Sequence, residues 1–366
     1  MKKIIFISFI LILLTGCSVG SDNNILKKLN SNLDKSKSYY LEGDMEIINN
    51  EDVYTYQVKV SYQKDNYYKV ELTNKSNNHE QVILRNKDGV YVVTPNLNKS
   101  FKFQSDWPNN NSQVYLLESI MKDINNDKDY TVKHNNSGYV ITSSVNYPNN
   151  TSLVKQNVYV DNNANVTKVE VLDNDLKAQI KMDFSKVELN HKFDDNYFDL
   201  NQVITVKENT NNEKEEENTK NAESENATED KKDDDTTNDA NVDNEEKESK
   251  KTVTIDDIVY PMYLPDNTYL TSKESIDTDN GKRLILNFDG DSSFVLIEES
   301  SVYDKEGLIL PVSGNIDFVT DVLAVISDNS ITWSNGGIDY YMASDNLESS
   351  ELLQIARSIS SLPVSK

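Results

Sequence analysis

Few residues in this chain have the type and spacing of reaction chemistry. His79, His134 and His191 show no helical metal spacing and have no neighbouring cysteine. Each is expected as a surface or strand residue rather than a ligand. Cys17 is the only thiol, which excludes a disulfide framework and a thiolate metal cluster within one chain. No Gly-rich phosphate loop and no G-x-S-x-G elbow occur. Asp277-Thr278-Asp279-Asn280-Gly281 begins like a calcium loop, but its glycine falls one place early and Phe288 stands where the closing Glu belongs. Acidic pairs of the glycosidase kind are numerous, as 61 Asp and Glu must make them on any solvated face. The expectation is a protein with no catalytic residue, no metal site and no cofactor. Against those 61 acids stand 37 Lys and Arg, a formal charge of −24, which repels a phosphate backbone and argues against nucleic-acid binding.

Covalent chemistry is concentrated at the start of the chain. Lys2 and Lys3 precede an apolar run from Ile4 to Leu14, then Thr15, Gly16 and Cys17. The run is short for a permanent span and suits the core of a signal peptide. This pattern resembles a bacterial lipoprotein signal with its lipobox. The resemblance implies cleavage between Gly16 and Cys17 and acyl chains, palmitate among them, on Cys17. The alternative is a plain secretory signal with a coincidental cysteine. Two or more acyl chains hold a protein stably, whereas one holds it marginally. The expected location is therefore the extracytoplasmic face of the cell membrane, lipid-anchored at residue 17. Residues 1–16 are then signal peptide and 17–24 a tether.

The elements that follow are mostly strands. Ile25, Leu26, Leu29 and Leu33 give a short amphipathic helix. Val53, Tyr54, Tyr56, Val58, Val60 and Tyr62 alternate with polar residues, the pattern of a half-buried strand. Strands continue over 67–72, 81–84 and 90–94, with Lys87-Asp88-Gly89 as a hairpin turn. Phe101 and Phe103 share one face of another strand. Strands over 158–160 and 166–172 flank an Asp/Asn-rich turn, and 178–189 closes the series. Val114, Leu117, Met121 and Ile124, widened by Leu116 and Ile120, predict a helix, with Asn110 and Gln113 as its N-terminal capping pair. The fold class is thus mainly β: an unclosed antiparallel half-barrel with covering helices over 25–207. The helix is expected to fill the core, although a covered concave sheet can also keep a pocket. Trp107-Pro108, in the loop before that helix, has two readings: a plug closing the half-barrel, which is preferred, or a partner anchor on the rim. Phe101, Phe103, Trp107 and Tyr115 are the candidate partner-binding residues.

Residues 208–250 hold seventeen acidic and six basic residues and no aromatic, so they cannot offset their ordering entropy by burial. They are expected as a disordered linker with ends roughly 35 Å apart. Asp233-Asp234-Asp235 within it would need a rigid loop to bind calcium and is expected to be solvated. A smaller α+β domain over 251–366 is expected beyond it, folding separately. It has strands at 284–288 and 294–298, a hairpin through Ser334-Asn335-Gly336-Gly337, and a capping pattern of Asp345 with Glu348. Leu352, Ile355, Ala356 and Ile359 then form the buried stripe of a terminal helix. Trp333 is expected in this core.

The stretch Gly89-Val90-Tyr91-Val92-Val93-Thr94-Pro95 through Phe101-Lys102-Phe103-Gln104-Ser105-Asp106-Trp107-Pro108, continued by Asn110 to Leu117, resembles the YdcC/GerS type of Firmicute sporulation and germination lipoproteins. The resemblance covers about 25–200. It implies the fold of the LolA/LolB lipoprotein carriers and of the envelope regulator RseB, and it carries over no catalytic residue. LolA is a soluble shuttle, whereas Cys17 tethers this chain. Trp333, Tyr340-Tyr341 and the run Glu351 to Ala356 resemble an uncharacterised C-terminal domain of extracytoplasmic Firmicute lipoproteins. The function these resemblances imply is a tethered, non-catalytic binding module in sporulation, germination or envelope processing. Its implied partner is a cortex peptidoglycan amidase or another envelope protein. The alternatives are a carrier or sensor with a lipid ligand, and an unrecognised envelope hydrolase.

Overall fold

A computed structural model of the chain describes residues 19–49, 52–204, 255, 258–303 and 307–359. Cys17, its signal segment and the 208–250 segment lie outside the described residues. The chain divides into two compact units, one of 1–90 with 104–194 and the other of 91–103 with 195–366.

In the first unit, helix α1 (Val19–Lys35) leads into a long antiparallel sheet. Strands β1 (Ser38–Asn49), β2 (Asp52–Gln63), β3 (Tyr67–Asn74) and β4 (Glu80–Asn86) form one meander. Strands β7 (Thr131–Asn135), β8 (Gly138–Ser144), β9 (Leu153–Val160), β10 (Val166–Asp173) and β11 (Ala178–Leu189) form another. Pairing of β1 with β11 joins the two meanders into the order β4-β3-β2-β1-β11-β10-β9-β8-β7, and β7 ends the row, so the sheet stays open. The expected half-barrel is observed, with more strands than the sequence displayed: β1, β7 and β8 were not anticipated. β1 slips register against β11 at Glu42/Gly43. A Cβ on Gly43 would stand 2.3 Å from the Asp183 carbonyl oxygen, so only glycine fits this bulge.

Helix α2 (Leu117–Asn126) buries Leu117, Ile120, Met121 and Ile124 as the periodicity requires. Its start corrects the expected cap. The N-cap position is Leu116, and Asn110 and Gln113 precede the helix without capping it. Gln113 instead donates its backbone N–H to Ser119 Oγ at 2.8 Å and accepts the Tyr115 hydroxyl at 2.6 Å. Those bonds satisfy the polar groups of the lead-in, so no helical turn is needed there.

Strand β5 (Gly89–Thr94) carries the chain into the second unit, followed by a 3₁₀ turn at Pro95–Leu97 and β6 (Lys99–Phe103). The other strands of this unit lie beyond residue 204. They are β12 (Thr268–Thr278), β13 (Gly281–Gly290), β14 (Phe294–Ser300), β15 (Leu308–Val312), β16 (Asn315–Val319), β17 (Val322–Ile326), β18 (Ser330–Asn335) and β19 (Ile338–Ala343). Seven of them form an antiparallel sheet in the order β12-β13-β14-β19-β18-β17-β16. β15 stands apart and pairs in parallel with β6, Leu308 opposite Lys99 and Val312 opposite Phe103. The β18–β19 hairpin turns on Gly336 and Gly337, both at positive φ, as a two-residue turn of this twist demands. Helix α3 (Ser349–Arg357) buries Leu352, Leu353, Ile355 and Ala356. Its capping box lies three residues later than the sequence suggested: Glu348 is the N-cap and Glu351 closes the box, while Asp345 takes no part. Trp333 is 2% exposed and stacks on its cross-strand partner Tyr340 with centroids 4.8 Å apart, within the core as expected.

Candidate functional site

The helix-covered face of the first unit's sheet carries an aromatic row. Tyr39 on β1, Tyr62 on β2 and Tyr68 on β3 are successive cross-strand partners, with centroids 4.9 Å apart at each step. Trp107 meets the edge of Tyr68 at 5.6 Å and 78°, the favourable T-shaped arrangement. Trp107 is 1% exposed. It packs in the interior against Tyr68 and presents no exposed face of its own. Tyr115, Phe101 and Phe103 are buried as well. Phe101 and Phe103 belong to the second unit, where Lys99 Nζ lies 5.0 Å above the Phe101 ring. The structure thus does not gather the four sequence candidates into one exposed surface; each is a packing residue.

Two carboxyls that sequence reasoning did not single out face this interior from α2. Glu118, in the first turn, accepts the hydroxyl of Tyr39. Burial carries its pKa from 4.5 to about 7, opposed by the bonds from Tyr39 and from its own backbone N–H. Burial likewise lifts Asp123 to about 6, against a bond from Ser112 and the charge of Lys122. Burial first, and then the charge of Glu118, raise Tyr39, Tyr62 and Tyr68, so all three phenols stay neutral. Further ties on α2 include Gln156 Nε2 to the Ile120 carbonyl at 3.3 Å, Lys122 Nζ to the Asn109 carbonyl at 2.8 Å and paired amide bonds between Asn30 and Asn125. Charge next to an apolar run is the signal that could have exposed Glu118.

Glu118 holds its proton more tightly folded than unfolded. Fold stability should therefore fall as pH rises from about 4.5 to about 7 and level off above. Glu118→Gln keeps an acceptor for Tyr39 and removes the ionisation. It should flatten that part of the profile and raise stability at pH 8 by on the order of 2–3 kcal/mol. Urea midpoints at pH 5 and pH 8 for both proteins test this; parallel profiles would refute it.

A small cavity of about 20 Å³ lies beneath α1 and α2, lined by Leu29, Leu33, Leu117, Met121, Val166 and Leu189 among others. That is room for about one water, far below the hundreds of Å³ of a small-molecule pocket. His191 stacks between Tyr40 and Phe193 and lies 3.1 Å from the Glu188 carboxylate, and His134 stacks on Tyr139. Among the described residues no three His, Cys, Asp or Glu are grouped to hold a metal ion, and no helix is long and apolar enough to cross a membrane.

An open antiparallel sheet with helices laid over an aromatic face defines the class of helix-covered half-barrels, mainly β. The chain belongs to the YdcC-like sporulation protein family, whose pattern, "Sporulation protein YdcC-like", matches residues 1–198. It is 31% identical over 349 residues to the sporulation protein YdcC of Bacillus subtilis (strain 168), covering 95% of this chain and 93% of that one. Among solved structures it is similar to that of the Pseudomonas aeruginosa MucA/MucB complex (10% identity, 93% of this chain, 98% of that chain, TM-score 0.29). It is also similar to that of the CwlD amidase from Clostridioides difficile in complex with the GerS lipoprotein (18% identity, 47% of this chain, 96% of that chain, TM-score 0.27). Both likenesses are distant, and no property of this chain rests on them.

Proposed function

We propose that this chain is a non-catalytic binding module of sporulation or germination, lipid-anchored through Cys17 at the extracytoplasmic face of the cell membrane. Its partner is an envelope protein, with a peptidoglycan-processing amidase as the class that the sequence resemblance implies. The acidic 208–250 segment is a linker in this reading. The observation that carries the proposal is the identity to a sporulation protein across 95% of the chain. The lipobox-like Leu14 to Cys17 adds the anchor.

Cys17→Ser should release the protein from membranes or leave an uncleaved, unacylated precursor. In the native host, deletion of the gene should impair spore formation or germination, and the Cys17→Ser form should restore it less well than the wild type. Unchanged fractionation, mature size and acyl labelling would refute the anchor. Normal spore yield and germination after deletion would refute the role, and peptidoglycan turnover by the purified chain would refute the absence of catalysis.

A further inference from the structure

Exposed apolar side chains crowd one stretch of the second unit. Tyr260, Met262, Tyr263, Tyr269 and Leu270 are all exposed, Met262 by 83% and Tyr269 by 59%. The backbone beneath them is fixed. Met262 N–H donates to the Ser358 carbonyl at 3.2 Å and Tyr263 N–H to Ser358 Oγ at 3.0 Å, at the end of α3. A turn closed by Thr268 N–H on the Pro265 carbonyl, with Asn267 at φ 54, then feeds the chain into β12. The two halves of the patch therefore flank one turn.

Among the described residues β12 is the outer strand of the seven-stranded sheet and pairs with β13 alone, so its other side is a row of N–H and C=O groups open to a further strand. Its distal half is guarded in the usual ways. The register slips at Leu270/Ser272, and Lys273 stands opposite the buried Leu286, a charge on the core side. The near half, Thr268 to Thr271, has neither Lys nor Pro. Exposed Asp266 precedes it in the chain, and exposed Asp289 and Asp291 flank it from the end of β13. Asn267 Nδ2 donates to Asp291 at 2.8 Å and Thr271 Oγ1 to Asp289 at 3.2 Å. Neither 258–272 nor 284–296 contains a Lys or Arg. A cation arriving here meets carboxylates and tyrosine faces, and an anion meets only repulsion.

We propose that the free edge of β12 at Thr268–Thr271, with Tyr260, Met262, Tyr263 and Tyr269 beside it, receives an extended basic segment of a partner protein as an added strand. Backbone pairing supplies affinity, and alternate Lys or Arg side chains supply the choice of partner. This goes beyond the reading of the half-barrel and can fail without it.

The test uses the full-length chain in detergent and labelled peptides of about ten residues, followed by fluorescence anisotropy at about 0.15 M salt. An alternating Arg-Val peptide should bind, and its Glu-Val counterpart should not. N-methylation of every second amide, which keeps the charge and blocks strand pairing, should weaken binding about tenfold or more. Tyr269→Ser and the Asp289→Asn/Asp291→Asn pair should each weaken it about tenfold, while Asp175→Asn in the exposed turn before β11 should not. All these variants alter exposed side chains, so melting temperatures should hold. Absence of binding, equal binding of the N-methylated peptide, or equal loss with Asp175→Asn would overturn the proposal, the last because general acidity would then explain the affinity. So would a dimer of the chain that dissociates on Tyr269→Ser, since the occupant would then be a second copy.

Discussion

Trp107→Ala is expected to cost about 3–5 kcal/mol of stability, the range for a large buried aromatic. Trp107 is among the largest fully buried side chains and packs edge-on against Tyr68. Behind Tyr68 the rings of Tyr62 and Tyr39 are held at 4.9 Å spacings by the ladders of three adjacent strands. Rings fixed in that way cannot collapse into the space an indole leaves, so the cavity term is added to the transfer term. Trp107→Phe keeps most of the ring contact and should lose less than half as much. Urea denaturation followed by circular dichroism measures both. Partner capture, tested where the variant is still folded, should be retained. An unchanged midpoint with weakened capture would restore the anchor reading that the burial of Trp107 opposes.

What the sequence displays and what it hides follow from the range of each interaction. β2 is legible because Tyr56, Val58 and Val60 alternate with polar residues and one face is buried. β1 has the same spacing in Tyr39, Leu41 and Met45, but Gly43 breaks the apolar row at the bulge. Its role, to join the two meanders through β11, depends on a partner strand far away in sequence. The stripes of α2 and α3 are local and were legible, while their starts were misplaced by a few residues. Capping motifs recur in a chain rich in Asn, Asp and Glu, and only the backbone geometry chooses among them. Phe101, Phe103, Trp107 and Tyr115 were recognisable as important aromatics. Their burial was not, because exposure depends on elements distant in sequence. The parallel pairing of β6 with β15 joins residues about 200 positions apart, and no periodicity names a partner at that range. Glu118 is only half legible in the same way: its charge beside an apolar run is local, but its partner Tyr39 lies 79 positions away.

That long-range pairing rests on a polar contact whose removal should have the second large effect. Lys99 Nζ lies 2.9 Å from Asp339 on β19, with side chains 8% and 28% exposed. Asp339 also accepts the hydroxyls of Ser301, at 2.8 Å, and Ser334. Beside this cluster Ser100 Oγ donates to the Leu308 carbonyl at 3.3 Å, and Leu308 N–H to the Asn98 carbonyl at 3.0 Å, so β6, β15 and β19 are tied at one corner of the second unit. Taking away one partner strands the other charge, and the cost depends on how well water can reach what remains. Asp339→Ala leaves a nearly enclosed ammonium and should cost about 3–5 kcal/mol. Lys99→Met leaves a carboxylate that water and two serine hydroxyls can still serve, and it should cost about half of that. The double variant removes both charges and should be less destabilised than the sum of the two, with a coupling of about 1–3 kcal/mol in urea denaturation. Strictly additive losses would show that the pair contributes nothing to the corner. The same contact sets an expectation for dissection: a fragment of 251–366 lacks Lys99 and the strand that pairs with β15, and should melt below the same region in the intact chain. A fragment with an unchanged midpoint would show that the second unit does not need the residues it draws from 91–103.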